Sequence, residues 1–484
     1  MNQSISIPGQ HCLINNKKMV GDEIDGGTVT APTKRTHSED SRSSLKRPKN
    51  AEKAPTPAAN YYFEDGLRKV EPYVFKYETY SKGRWLDRSI YDVFCVEFAD
   101  NTAEYYRNAI KSGKILVNDA IVHQGYLIKN NDRITHLIHR HEPPVTDALP
   151  LIVHQDHDIL VVDKPSSIPI HPSGRYNHNT LVQILQSHHG FNKLSPMHRL
   201  DRLTSGILIL AKNPHAAQKF QIQNVKEKVY LTRVHGDFPF DETTVNEPVK
   251  VACHKLSLNI VAADGKPSTT VFKKVFYDAK TDSTVLEVYP KTGRTHQIRV
   301  HLQFLGHPVL NDPLYASKDW RVDFGKGVLD QKRVDGILSK MMKDQFEREG
   351  KAIDQERISA TIESKAWSHV YQERRKGGSV STADIAVMDA TTASTEEVAT
   401  KELSLLAETA DNRNQTWFDR TCLNCVKPFA DPRPHQMMLY LHAWKYEGEG
   451  RAFETPRPSW AEVDFDKALF TQFGGSGGVL ESHS

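Results

Sequence analysis

The feature that most constrains the fold is a polar run that passes directly into an apolar one. Residues 198–206 read HRLDRLTSG and place the carboxylate of Asp201 between Arg199 and Arg202. The apolar stretch Ile207-Leu208-Ile209-Leu210-Ala211 follows at once. This order predicts a loop that leads into a buried strand and holds a carboxylate just before the strand begins. Nearby positive charge lowers the pKa of such a carboxyl, so it is suited to act as a nucleophile or base.

Composition sets limits on the kind of protein. With 484 residues the chain exceeds the usual length of one domain. Hydrophobic residues make up 38% and charged residues 25%, as in soluble domains with polar segments. We expect no membrane span, because no apolar run approaches the roughly 20 residues that a bilayer requires. Five cysteines predict a reducing compartment rather than a disulfide framework.

Segment character predicts how the chain is divided. Residues 1–60 predict a disordered basic tail, and residues 84–140 a small αβ module. Residues 150–315 are rich in apolar runs that predict successive strands, and residues 421–460 are expected to return to the same sheet. Residues 316–420 predict an insertion, partly helical and partly of low complexity. The fold class is therefore α+β with a mixed, mainly antiparallel sheet.

Within this plan, particular elements are expected. Asn101 to Glu104 fits a capping box before a helix that Gly113 can end. Residues 115–117 and 120–122 predict a hairpin around Asn118-Asp119. Residues 215–228 predict a helix, and the alternation in residues 297–302 is compatible with a strand that presents Arg299 and His301 on one face.

Four polar clusters stand in order on the β-rich region. In all four together, lysine, arginine and histidine far outnumber the acidic residues, which suits contact with phosphates. They are residues 163–174, 198–206, 228–236 and 291–308. Tyr230 offers an aromatic ring on which a base can stack.

These clusters resemble the RluA-type pseudouridine synthases. The matching elements are HRLDRLTSG (198–206), K-x-Y (228–230), TGRTHQIRVH (292–301) and LGHP (305–308), all in family order. The resemblance implies a pseudouridine synthase catalytic domain. Residues 110–118 add a likeness to the α-L RNA-binding fold, so the module at 84–140 is expected to contact RNA. Its candidate RNA-binding residues are Arg107, Lys111 and Lys114, and the fourth cluster adds Arg294 and His296.

The resemblance also implies roles at the site. Asp201 is expected to be the catalytic carboxylate, Arg299 its ion-pair partner, Tyr230 the ring beside the target base, and Arg199 a residue that helps to displace the nucleotide. Uridine would be isomerised to pseudouridine without any cofactor or metal. The sequence NDPLYA (311–316), where many bacterial members have GDxxYG, is similar to a eukaryotic subgroup that modifies tRNA. The expected partner is therefore RNA, most specifically tRNA and its anticodon loop.

Alternatives concern the activity, the metal and the location. An RNA-binding protein of the same fold without activity is the second functional hypothesis. A fused zinc deaminase is rejected, because the one H-x-E lies at His37 in the basic tail and Cys422-x-x-Cys425 has no preceding proline. We expect two thiols rather than a zinc clip at Cys422 and Cys425, since no second ligand pair stands at zinc-site spacing.

A monomer is expected. Its expected location is the nucleus or cytoplasm, because the basic residues at 34–35 and 46–49 fit a nuclear import signal; a mitochondrial location stays open.

Overall fold

The computed structural model describes residues 59–98, 101–191, 193–219, 225–320, 323–348, 419, 422–428, 430–448, 450–463 and 465. The predicted basic tail and most of the predicted insertion lie outside these residues. Within the described part, no helix is both long and apolar enough to cross a membrane.

The first part of the described chain forms two small sheets. Its elements are β1 (Tyr61–Glu64), β2 (Leu67–Val70), β3 (Tyr73–Tyr80), α1 (Ile90–Val93), α2 (Ala103–Lys111), β4 (Ile115–Val117), β5 (Ala120–Ile121), β6 (Arg133–Arg140) and β7 (Val145–Thr146). Strands pair in the order β1-β2-β7 and β3-β6-β4-β5. The helix and the hairpin of the predicted module are confirmed, with Asn118 and Asp119 both at positive φ in the turn. The capping box is wrong, because Thr102 caps α2 by accepting from the backbone N–H of Tyr105.

The β-rich region that follows supplies most of the large sheet. Its elements are β8 (Leu151–Gln155), β9 (Ile159–Lys164), α3 (Leu181–His189), β10 (Ser195–Pro196), β11 (Ser205–Ala211), α4 (Pro214–Lys219), β12 (Val225–His235), β13 (Glu242–Val245), β14 (Val249–Cys253), β15 (Leu258–Val261), β16 (Thr270–Asp278), β17 (Ser283–Pro290) and α5 (Gln297–Phe304). The helix expected over residues 215–228 is wrong in its second half, where Val225 to Lys228 belong to β12. There Lys228 and Val229 pair with residues of a neighbouring strand, and sheet pairing overrides local helical periodicity.

The C-terminal elements include the last two strands of this sheet. They are α6 (Gln331–Arg348), α7 (Leu423–Val426), β18 (Leu441–Gly448) and β19 (Arg451–Glu454). The ten-stranded sheet runs β13-β16-β17-β12-β18-β11-β9-β8, with β10 on β11 and β19 on β18. The predicted return of the chain is confirmed, since β18 lies between β12 and β11. Only the contact of β18 with β11 is parallel within the described pairings, so the sheet is mixed and mainly antiparallel as expected.

Close packing at the centre of the sheet explains one glycine of the HRLDRLTSG run. Gly206 has φ +108, and a Cβ there would lie 2.2 Å from the carbonyl oxygen of Ala443 on β18. Only glycine accommodates that approach and that backbone conformation. The run thus ends where β11 docks against the returning strand, and Asp201 stands four residues before β11 begins.

Two apolar clusters cover parts of the sheet. One includes Leu231, Phe272 and Leu286, and the other includes Leu160, Leu208 and Leu210, with the ring of Tyr230 packed against both. The predicted helix of the insertion is confirmed as α6. Its residues Val334, Ile337, Leu338 and Met341 join a third cluster with Tyr315 and Trp320, so the start of the insertion packs beside the site region.

Candidate active site

Asp201 lies in a loop between β10 and β11, and its side chain remains 20% exposed. A guanidinium nitrogen of Arg299 lies 3.2 Å from its carboxylate oxygen, across 98 residues of sequence. The imidazole of His296 lies 3.6 Å from the same oxygen. The loop therefore presents a reachable carboxylate against two nitrogen-bearing side chains.

Arg299 is itself held by a second carboxylate. Its Nε and Nη2 donate to the two oxygens of Asp312 at 2.6 and 2.9 Å, and Nη1 extends to Asp201. Asp312 also accepts the backbone N–H groups of Leu314 and Tyr315. A bidentate pair of this kind fixes the plane of the guanidinium. Asp312 thus determines the direction in which Arg299 meets Asp201.

Arg299 lies on a helix, so the expected strand over residues 297–302 is wrong. Helix α5 begins after His296, which has φ +58. Every residue from Gln297 to Gln303 is buried, the polar ones included. The sequence therefore shows no separate polar face from which the helical period could be recognised. His301 does not share the site: its Nε2 donates to the carbonyl of Glu247, and its ring also hydrogen-bonds with Thr270.

The charges around Asp201 keep it ionised. Burial by itself would raise the pKa of the Asp201 carboxyl, but His296 in its protonated form, Arg299 and Arg199 together lower that pKa below its usual range. Burial lowers the pKa of His296 to about 4, so this imidazole is neutral at pH 7. The stabilising charge at neutral pH therefore comes from Arg299 and, more weakly, from the exposed Arg199.

Tyr230 lies on β12, opposite Val288 and next to Ala443 of β18. Burial raises the pKa of its phenol, and the negative charge of Asp201 raises that pKa further. The phenol is consequently protonated at neutral pH. Its ring is partly buried against both apolar clusters of the sheet.

Several basic residues of the four clusters point inward, so the expected phosphate contacts are wrong for them. Lys164 is fully buried and donates to the carbonyls of Pro165, Ile168 and Arg202. Arg233 is fully buried and pairs with Asp278. Of the candidate RNA-binding residues, Arg107, Lys111 and Arg294 are exposed. Lys114 is paired with Asp419 at 2.8 Å, and His296 lies beside Asp201.

Sequence reasoning missed two features of the site. Asp312 was quoted only as part of NDPLYA, although an acid between an asparagine and a proline at a domain edge was the available signal. Lys164 was placed among phosphate ligands, whereas it holds the carbonyl of Arg202 next to Asp201. Beside the site, a cleft of about 1300 Å³ is lined by Arg202 and Asp312, among others.

The expectation that no second ligand pair accompanies Cys422 and Cys425 is wrong. His139 and His141 meet these cysteines, and the potential ligand atoms of the four residues lie within 4.8 Å of one another. His139 and His141 were not found because nearly 300 residues separate the two pairs in sequence.

Comparisons with known proteins agree with this geometry. The sequence model of the family described as RNA pseudouridylate synthase matches residues 158–304. The human protein named Pseudouridylate synthase RPUSD2 is 38% identical over 420 residues, covering 84% of this chain and 76% of that protein. The chain belongs to the RNA pseudouridylate synthase family, and the predicted RluA-type identity and enzyme class are confirmed.

Two relatives from Saccharomyces cerevisiae are similar over most of their length. The protein named tRNA pseudouridine(32) synthase, mitochondrial, is 36% identical over 82% of this chain and 77% of its own. The protein named tRNA pseudouridine(31) synthase is 32% identical over 83% of this chain and 97% of its own.

Proposed function

We propose that this chain isomerises a uridine of tRNA to pseudouridine, with Asp201 as the essential carboxylate. The observation that carries the proposal is an ionised, partly exposed carboxylate held by an arginine that a second, buried carboxylate orients. The two yeast relatives carry tRNA positions 31 and 32 in their names. These adjacent positions favour the anticodon arm as the substrate region of this chain.

The reaction rearranges one nucleotide. The bond from N1 of uracil to C1′ of ribose breaks, the base turns, and a bond forms from C5 to C1′. The hydrogen on C5 leaves as a proton and N1 gains one, so nothing is oxidised or reduced. Asp201, being ionised, can act on the ribose either as nucleophile at C1′ or as base towards a ribose proton.

The target nucleotide must leave its stack to reach Asp201, at a cost of a few kcal/mol. We assign Arg199 to this step, because it is exposed on the loop beside Asp201 and its guanidinium can fill the vacated place. Tyr230 would stack on the flipped base. Because its phenol is protonated, a part in removing the C5 proton requires that the phenol first lose its own proton.

The substrate would extend from the site onto the surface that carries the exposed basic residues. Arg294 precedes α5, and Arg107 and Lys111 lie on α2 of the small module, which we propose acts as an α-L RNA-binding unit. Lys114 would contribute less, since Asp419 already neutralises it. His296 would support Asp201 rather than contact phosphate.

The test is release of tritium from tRNA labelled at C5 of uridine. Wild type should release label, and Asp201→Asn should lower the rate at least about a thousandfold, because the isosteric amide cannot act as nucleophile or base. A tRNA with cytidine at positions 31 and 32 is the substrate control. Undiminished release by the variant would remove Asp201 from the mechanism. Absence of release by wild type from a panel of RNAs would favour an RNA-binding protein without activity.

We further propose that the protein acts as a monomer in the nucleus or cytoplasm. Its basic segment at 34–49 supports import into the nucleus, whereas one yeast relative is named as mitochondrial. Light scattering of the purified protein should give the mass of one chain, 54.8 kDa. Imaging of the tagged full chain, with and without Lys46 and Arg47, should show nuclear signal that depends on them; a mitochondrial pattern would contradict the proposal.

A further inference from the structure

Four side chains from distant parts of the chain converge away from Asp201. His139 lies on β6 and His141 just after it, while Cys422 and Cys425 bracket the start of α7. Residues two apart on an extended chain face the same side, so the two imidazoles lie together, with ring centroids 5.0 Å apart. On the other side, the backbone N–H of Cys425 donates to the carbonyl of Cys422, which closes the turn between the two thiols.

The distances suit a single small ion. The Nε2 atoms of His139 and His141 lie 3.1 and 3.2 Å from Sγ of Cys425, and all four ligand atoms fall within 4.8 Å of one another. Ligands at zinc distances of about 2.0–2.3 Å in a tetrahedron stand about 3.3–3.8 Å apart. To reach that geometry, the two contacts to Sγ of Cys425 lengthen by a few tenths of an ångström, and the widest separations, at most 4.8 Å, shorten by about 1 Å.

The surroundings favour a structural ion. Cys425 is buried and the other three residues are half-buried, so the ligands shield one another from solvent. The backbone N–H of Asp419 points to Sγ of Cys425 at 3.4 Å, a contact that stabilises thiolate sulfur. With four protein ligands present, no position remains open for water, as in structural rather than catalytic sites.

We propose that His139, His141, Cys422 and Cys425 bind one Zn²⁺ ion. Two sulfurs and two nitrogens in a tetrahedron select zinc or an iron–sulfur cluster. A two-iron cluster with this ligand set holds the cysteines on one iron and the histidines on the other. Here both histidines touch the same sulfur, which leaves room for one ion and not for two.

The ion would fasten the chain after the insertion to the small sheet. The chain after the insertion leads to β18 at the centre of the large sheet, and before that its Cys422 and Cys425 meet the end of β6 at this cluster. His141 and Cys425 also line the cleft that Arg202 and Asp312 border. Zinc would therefore hold one wall of this cleft in place without touching the reacting nucleotide.

Metal analysis of the purified full chain, prepared without chelators, is the first test. We expect about one zinc per chain in wild type, and loss of zinc in Cys422→Ser and Cys425→Ser. Cys95→Ser, which changes a half-buried cysteine outside the cluster, should keep the metal. Zinc retained by Cys425→Ser, or wild type that holds no zinc and has free thiols, would overturn the proposal. A disulfide between Cys422 and Cys425 in freshly isolated protein would also overturn it.

Cobalt provides a readout that does not depend on activity. Exchange of zinc for Co²⁺ should give the visible bands of a tetrahedral ion together with charge-transfer absorption from thiolate. His141→Cys keeps four ligands and should still bind, with stronger thiolate absorption, whereas His141→Ala should bind more weakly. Loss of binding in His141→Ala but not in His141→Cys separates ligation from general unfolding. Equal cobalt spectra for wild type and Cys422→Ser would contradict the assignment.

Discussion

Two buried arginines of the catalytic domain form ion pairs with different consequences. Arg233, on β12, gives one guanidinium nitrogen to Asp278, Thr281 and Ser283, and its pair is sealed from solvent at 0% and 8% side-chain exposure. Arg299 is almost as deeply buried, with 6% of its side chain exposed, and is also paired with a buried acid, Asp312. It has one nitrogen left, which it presents to the partly exposed Asp201.

The difference separates a structural ion pair from a candidate site. An acid beside an arginine is usually structural, and the Arg233 cluster is of that kind. At Arg299 the structural pairing is satisfied by Asp312, so the contact with Asp201 is available for chemistry. Exposure of the second carboxylate, rather than the presence of an ion pair, is what marks the site.

The sealed pair should matter most for stability. Asp278→Asn leaves the Arg233 charge buried without a counter-ion and is expected to lower the free energy of unfolding by about 3 kcal/mol. Activity, measured well below the melting temperature, should stay near wild type. Urea unfolding followed by circular dichroism gives the first quantity, and tritium release the second. Loss of activity in a folded Asp278→Asn protein would break the comparison.

Asp201→Asn is the matched opposite of that variant. Arg299 keeps both bonds to Asp312, so stability should change by less than about 1 kcal/mol while activity is lost.

Arginine-to-lysine exchange tests geometry at both positions. Lysine at 299 keeps the charge, but it cannot donate two parallel hydrogen bonds to Asp312 and a third to Asp201. Misplacement of Asp201 by about 1 Å should lower kcat/KM about 100-fold. Arg233→Lys is the control, and it should lower stability but leave kcat/KM unchanged in the folded enzyme. Equal kinetic losses in the two variants would show that Arg299 acts only through folding.

The phenol of Tyr230 is expected to have a smaller effect. Tyr230→Phe keeps the ring for stacking and removes one hydrogen-bonding group, so kcat should fall about tenfold with little change in KM. Tyr230→Ala should raise KM as well, because the stacking surface is lost. A loss in Tyr230→Phe of about a thousandfold would instead assign the phenol to proton transfer.

Much of the fold could be predicted where the sequence holds continuous apolar runs. The run 207–211 was predicted as a buried strand, and β11 is buried on both faces along almost its whole length. The first three strands were not predicted, although Tyr73 to Tyr80 alternates in exposure and its sequence carries that signal. Helix α5 was misjudged because burial on all sides removes the contrast on which periodicity depends.

The site could be predicted where the family motif spans it, and less well elsewhere. Asp201, Tyr230 and Arg299 stand inside quoted motifs, whereas the anchoring role of Asp312 depends on a contact that local sequence does not encode. The cluster of two histidines and two cysteines that includes Cys425 illustrates the same point, since each pair alone is a weak indication of a metal site. Only folding brings the two pairs together.

The pH dependence of activity should be the smallest effect. The charges near Asp201 lower its pKa in the folded protein, so its ionised form stabilises the fold above about pH 4 and this stabilisation is lost as the pH falls through the lowered pKa. His296, with a pKa of about 4, stays neutral from pH 5 upward. Single-turnover rates should therefore change less than about twofold between pH 8 and pH 5, at a temperature where the protein stays folded. Burial raises the pKa of Asp163 to about 6, which makes Asp163→Asn the control. A fall in rate centred near pH 6 that persists in Asp163→Asn would mean that the Asp201 carboxyl is not held ionised.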